Sequence, residues 1–123
     1  MTAGERRVPR KRGQLEIGSR VVGEGEPAFV IAEIGNTHEG SVGQAQALIA
    51  AAAEAGADAV KLQTHIAEAE TLGDAPFPPY FRPGETRHAS YRRIAFAGAQ
   101  YRDLSQFAAS LGVVLFSSPF SIE

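Results

Sequence analysis

The chain has 123 residues, no cysteine, and twelve basic against fourteen acidic side chains, for a formal net charge of −2. That length suits one small domain, and 44% apolar residues are enough for a core. The missing thiols exclude a disulfide framework and any thiolate metal site, and no apolar run approaches the roughly eighteen residues of a membrane-spanning helix.

The charge is uneven along the chain. Arg6, Arg7, Arg10, Lys11 and Arg12 crowd the start, leaving seven basic and thirteen acidic residues, about −6, for the rest. A body with that balance argues against nucleic-acid binding. Residues 1–13 are expected to be a disordered basic leader. They lack the apolar stretch of a secretory signal, so a soluble cytoplasmic protein is expected. Next, QLEIGSRVVGEGEPAF reads as a short β-hairpin turning at Gly18-Ser19. FVIAEIG (29–35) is an apolar run broken by Gly35, the pattern of a buried strand.

Ser41 is placed to cap a helix. Val42, Ala45, Leu48, Ile49 and Ala52 then recur at helical spacing, and Gly56 stands where a terminating glycine belongs. Ala57-Asp58 leads into a second strand, AVKLQT. Strand, helix and strand within about 35 residues make a βαβ unit with parallel strands. Residues 65–88 hold four prolines and read as a long irregular loop of the kind found in lids and binding loops. A helix resumes near Ser90, with Tyr101, Leu104, Phe107, Ala108 and Leu111 on one face. Gly112 ends it, VVLFSSPF (113–120) is a third strand, and Ser121 to Glu123 resemble a further helix start. The class is α/β. Three strands with helices do not complete a sheet covered on both faces, so residues 14–123 are expected to be the front part of a longer α/β protein.

Strand periodicity sorts the side chains. Lys61 and Gln63 share one face of the second strand, while Val60, Leu62 and Thr64 take the other. On the first strand Glu33 shares its face with Phe29 and Ile31, where an ionised carboxylate surrounded by apolar groups is costly. If the apolar faces pack on helices, Glu33, Lys61 and Gln63 point together into the opposite space. All three lie near the C-terminal ends of their strands, the functional end of α/β barrels and open sheets alike. Lys61 is expected to bind an anion beside Glu33; the alternative is a purely structural lysine–glutamate pair. Ser117 and Ser118 end the third strand, and their hydroxyls suit phosphate or carboxylate oxygens. His38, His65 and His88 show no metal-ligand spacing and read as hydrogen-bonding loop residues.

Three stretches, IAEIGNTHEGS, AAAEAGADAVKLQTH and LGVVLFSSPFS, resemble the N-acetylneuraminate (sialic acid) synthase family, over roughly residues 15 to 123. The resemblance implies a (β/α)8 TIM-type barrel, of which this chain would hold about three βα units, and a homodimer in the full-length parent. It implies a metal-dependent transferase of carbohydrate biosynthesis. Carbon 3 of phosphoenolpyruvate would attack the aldehyde of an N-acylated mannosamine-type sugar, water would add at carbon 2, and phosphate would leave. The product would be a nine-carbon 2-keto sugar acid. Glu33 matches the site glutamate that orients or deprotonates a metal-bound water. Lys61 matches the lysine that grips phosphoenolpyruvate, Gln63 a glutamine lining the same site, and Ser118 a position usually threonine, with Ser117 before it. His38 and Glu85 fall where the sugar is expected. The divalent manganese or magnesium ion would take its ligands from sequence beyond this chain, with no metal ligand within it.

Two positions depart from the family pattern. Thr37 replaces an asparagine before the loop histidine, and Glu85 replaces an asparagine that contacts the acyl group. A carboxylate accepts but cannot donate a hydrogen bond, so the acceptor sugar could differ: a legionaminate-like or other nonulosonate precursor is the alternative. An inactive or split-gene fragment needing a C-terminal partner chain is the non-catalytic alternative.

Overall fold

The computed structural model describes residues 12–78 and 84–123. Most of the basic leader expected over residues 1–13, and the proline-rich centre of the long loop, lie outside the described residues. Two short strands, β1 (Leu15–Ile17) and β2 (Arg20–Val22), pair antiparallel through the Gly18-Ser19 turn. Three longer ones, β3 (Ile31–Gly35), β4 (Ala59–Thr64) and β5 (Val114–Pro119), form a parallel sheet in the order β3-β4-β5. Helix α1 (Val42–Glu54) connects β3 to β4. Between β4 and β5 come a single turn α2 (Ala67–Glu70), then α3 (Arg87–Ile94) and α4 (Gly98–Ser110). His88 therefore belongs to a helix and not to the long loop, because Thr86 caps α3 by accepting from the Ala89 N–H at 3.1 Å. Ser121 to Glu123 take no helical form.

Both crossover helices start and stop by local chemistry. The Ser41 hydroxyl accepts from the Gln44 N–H at 3.2 Å and caps α1. Gly56 follows with φ +89°, and the Ala57 N–H reaches back to the Ala52 carbonyl at 3.0 Å. At the end of α4, Gly112 has φ +78° and the Val113 N–H returns to the Ala108 carbonyl at 3.1 Å. Each is a glycine-terminated closure that turns the chain back toward the sheet. The same device therefore delivers the chain into β4 and into β5.

The core lies between the sheet and the pair α1/α4. Ile34, Ile49, Val60, Leu62, Leu104, Ala108 and Val113 are buried there, with Phe96 at its edge. Fully burying one such aliphatic side chain contributes about 1.5–3 kcal/mol. The opposite face has no helical cover among the described residues. Ile31 (48% exposed) and Phe116 (37%) stand on it beside the polar groups.

The hairpin closes the N-terminal end of that second face. A Cβ on Gly18 would stand 2.9 Å from the Val114 side chain, so the turn lies against β5. Arg20 pairs with the Asp58 carboxylate, whose other oxygen accepts from the Val30 N–H at 2.8 Å. No described helix is long and apolar enough to cross a membrane.

Candidate functional site

The register of the parallel sheet assembles the site. Glu33 is paired across from Lys61, and Lys61 across from Phe116; one step along, Gln63 is paired with Ser118. Side chains at paired positions of neighbouring strands share a face. Glu33, Lys61, Gln63 and Ser118 thus stand together on the face opposite the helices. The Lys61 ammonium lies 2.5 Å from a Glu33 carboxylate oxygen.

Glu33 is not enclosed by apolar groups, as its strand neighbours suggested. Its side chain is 48% exposed and that of Lys61 31%, because beyond the hairpin no layer covers this face among the described residues. Water reaches both groups, so the pair is screened rather than locked. Just beyond Glu33 the ladder slips, so that Gly35 and not Ile34 is paired with Leu62. Gly35 takes φ +55°, which only glycine adopts readily. A side chain there would also crowd the site: a Cβ would stand 3.4 Å from Glu33 Oε1 and 3.7 Å from Gln63 Nε2.

Adjacent serines part company at the end of β5. Ser117 is paired with Leu62 and faces the helices. Its hydroxyl lies 2.6 Å from the Thr64 hydroxyl, which in turn lies 3.0 Å from the Tyr101 hydroxyl. The Ser117 side chain therefore ties β5 to β4 and α4, and Ser118 alone of the two hydroxyls shares the Lys61 face.

The loop histidines are interior groups. His38 is 1% exposed and stacks on Phe96 at 4.3 Å. Its Nδ1 accepts from the Gly40 N–H at 3.1 Å, and its Nε2 has no partner among the described residues. Burial pushes its pKa down, against a smaller opposing pull from Glu39. A ring so enclosed braces the loop after β3 and presents no face to a ligand.

Glu85, the other position expected at the sugar, receives the Arg93 guanidinium in a fork, Nε at 3.0 Å and Nη2 at 3.4 Å. Arg93 also donates to Glu39 at 3.2 Å. The hydrogen bond to Glu85, foremost, holds the guanidinium pKa above its usual value. One arginine thus links the loop after β3 to the segment before α3.

His65, expected to be a hydrogen-bonding residue, is one, and it sits at the centre of a network. It is 5% exposed and held between the rings of Tyr91 (4.1 Å) and Phe120 (4.6 Å). Its Nδ1 lies 2.7 Å from Glu70 and its Nε2 3.0 Å from the Asn36 amide nitrogen, which also donates to Gln63 Oε1 at 2.7 Å. Beside it, His65, Ile66, Ala67, Glu68, Arg92, Ala95 and Phe96 line a cavity of about 300 Å³. Asn36 and Glu70 escaped sequence reasoning because nothing local marks them.

The chain is similar to known proteins in sequence and in fold. Residues 48–123 match the model of the NeuB family. The chain is 35% identical over 102 residues to N-acetylneuraminate-9-phosphate synthase of Homo sapiens, covering 80% of this chain and 28% of that one. It is 33% identical over 102 residues to N,N'-diacetyllegionaminic acid synthase of Legionella pneumophila, covering 80% and 29%. The crystal structure of N-acetylneuraminic acid (sialic acid) synthetase from Leptospira borgpetersenii, in complex with citrate, superposes with a TM-score of 0.69 at 26% identity, over 89% of this chain and 35% of that one. The chain spans about 30% of the length of the curated relatives it matches.

Proposed function

The chain belongs to the NeuB family, and on that premise we propose that it carries the phosphoenolpyruvate-binding part of a sialic-acid-type synthase. The observation that supports this most is the placing of the Lys61 ammonium, the Gln63 amide and the Ser118 position on one open face, with Glu33 2.5 Å from the ammonium. Lys61 supplies the charge that attracts an oxyanion, and a charge-assisted hydrogen bond fixes it. Gln63 and Ser118 add neutral polar contacts from the same and the next strand.

In the reaction we propose, carbon 3 of phosphoenolpyruvate forms a bond to the aldehyde carbon of an N-acylated mannosamine-type sugar, and the aldehyde oxygen takes up a proton. Water adds at carbon 2, and Glu33 accepts its proton. Phosphate leaves with the oxygen that joined it to carbon 2, giving a nine-carbon 2-keto sugar acid. Lys61 stays with the departing phosphate and offsets its charge. The same resemblance implies a divalent manganese or magnesium ion. Among the described residues no three His, Asp or Glu side chains lie together to hold one, so no step rests on it.

We read β3, β4 and β5 as the first three strands of a (β/α)8 barrel, residues 14–123 forming part of that domain. The exposed Ile31 and Phe116 beside Lys61 support this, since both faces of a parallel sheet are normally covered. A cytoplasmic homodimer is part of the same reading. The choice between an N-acetylmannosamine acceptor and a legionaminate-type precursor turns on Glu85, which meets the sugar as an ion pair with Arg93 and not as a bare carboxylate.

The experiment gives phosphoenolpyruvate and N-acetylmannosamine, or its diacetylated analogue, to a complete barrel enzyme carrying this segment, in ¹⁸O-water. Phosphate release with unlabelled phosphate, dependent on one of the sugars, is expected. No release with either sugar, or label in the phosphate, refutes the proposal.

A further inference from the structure

We infer that Glu70, His65 and Asn36 act together as positioning residues that dictate which end of the Gln63 amide faces the Lys61 site. The inference rests on the proposed anion-binding role of Lys61 and Gln63, and it adds a reason why Gln63 is a donor there.

The relay starts at Glu70. One of its oxygens accepts the Ile66 N–H at 2.7 Å, and the other lies 2.7 Å from His65 Nδ1. In the relay we infer, the neutral ring carries its proton on Nδ1, and the Glu70 carboxylate accepts it. Nε2 of the ring is then an acceptor. It faces the Asn36 amide nitrogen at 3.0 Å, and the same nitrogen gives its second proton to Gln63 Oε1 at 2.7 Å. His65 Nε2 and Gln63 Oε1 stand 3.3 Å apart, two acceptors bridged by one NH₂. The stacked rings of Tyr91 and Phe120 keep the imidazole from swinging away.

The consequence falls on Gln63. Its oxygen is committed to Asn36, so its NH₂ is directed the other way. There Gln63 Nε2 lies 3.7 Å from the point a Gly35 Cβ would occupy, and Glu33 Oε1 lies 3.4 Å from that point. An unconstrained glutamine amide turns over at little cost, and the turned form would present a carbonyl oxygen to an anion. With the orientation set from behind, the Lys61 face offers two donors, an ammonium and an NH₂, beside the Glu33 carboxylate. The ligand atoms it takes are therefore acceptor oxygens, those of a carboxylate or a phosphate.

Glu70→Gln tests the relay, because it keeps shape and reverses one bond. The Ile66 N–H still requires an oxygen, so the new NH₂ is left facing His65 Nδ1. The ring proton must then move to Nε2, Asn36 must turn its oxygen inward, and Gln63 must follow. Nitrogen-15 NMR of the 123-residue chain reads the imidazole tautomer directly. A cross-peak between the Gln63 NH₂ and the Gly35 α protons reads the amide orientation without any ligand. The wild type is expected to show Nδ1–H and the cross-peak. Glu70→Gln is expected to show Nε2–H, to lose the cross-peak and to weaken phosphoenolpyruvate binding roughly tenfold or more. In a Gln63→Ala background, with no amide to orient, Glu70→Gln should leave the affinity unchanged, which a general loosening of the loop would not.

A wild-type ring protonated on Nε2, or a cross-peak that survives Glu70→Gln, overturns the relay. A wild-type chain with the expected tautomer and cross-peak that takes up no phosphoenolpyruvate supports the relay and overturns the proposed anion site.

Discussion

Lys61→Ala separates anion binding from support of the scaffold. The ammonium lies 2.5 Å from Glu33, but the two side chains are 31% and 48% exposed. Water screens such a pair, and its loss costs about 0.2–1 kcal/mol. In a chain of this size 1 kcal/mol moves Tm by about 4–8 °C, so the melting point should fall by less than about 8 °C. Anion affinity should fall much further. A hydrogen bond to a charged group contributes about 1.5–3 kcal/mol, roughly a ten- to hundredfold change in Kd. Thermal melts followed by circular dichroism, and calorimetric titration with phosphoenolpyruvate, measure the two effects on one preparation. Salt supplies an internal check. Raising ionic strength from 0.1 M to 1 M shortens the screening length from about 10 Å to about 3 Å, so wild-type affinity should drop with salt and that of the variant should respond less. A fall of more than about 15 °C with unchanged phosphoenolpyruvate affinity would refute the reasoning and make Lys61 a structural counter-ion of Glu33.

Glu33→Gln in a complete barrel enzyme should leave phosphoenolpyruvate binding nearly intact and lower kcat by about 10²–10⁴-fold; steady-state kinetics giving wild-type turnover with a lowered Tm would remove Glu33 from the chemistry. Gly40→Ala should destabilise by about 1–3 kcal/mol, because φ is +80° and the new Cβ would stand 2.5 Å from the Arg93 carbonyl oxygen; an unchanged urea midpoint would contradict that close approach. His38 should make stability fall with acidification. Burial lowers its folded pKa below the usual 6.5, so the unfolded chain binds the extra proton first, and stability is lost as pH drops from about 6.5 toward the depressed value. His38→Asn should flatten that part of the profile in melts between pH 7.5 and 5, and an unaltered slope would assign the acid sensitivity to another group.

Much of the fold was legible because local rules governed it. The Ser41 cap, the Gly56 and Gly112 terminators and the alternation in AVKLQT each depend on a few consecutive residues, and each appears where the pattern places it. Strand parity also brought Glu33, Lys61 and Gln63 to one face. It says less where two neighbours have the same chemistry: Ser117 and Ser118 look interchangeable in the sequence, and only the β4–β5 register shows that one faces Thr64 and Tyr101. The His65 network was hidden for a different reason. Its members come from positions 36, 63, 65, 70, 91 and 120, and no periodicity links residues so far apart. The loop between 65 and 88 looked irregular throughout because, among its described residues, the helical content is one turn of α2 and the capped start of α3.

The clamp on His65 also sets an order of assembly. Glu33, Asn36, Lys61, Gln63, His65 and Glu70 all belong to the first βαβ unit or the turn just after it, and emerge together during synthesis. Tyr91 and Phe120 follow at the usual 5–20 residues per second, so the ring meets its first wall some seconds before its second. Phe120 reaches the ring only once β5 has docked on β4, through the Phe120 N–H to Thr64 carbonyl bond at 3.2 Å that continues the ladder. The ion pair of Glu33 and Lys61 needs only β3 and β4, whereas the relay proposed for Gln63 also draws on a ring from beyond the third strand. On the proposed reading of Lys61 and Gln63, binding competence would come late in the folding of this segment, once Phe120 joins Tyr91 on the His65 ring.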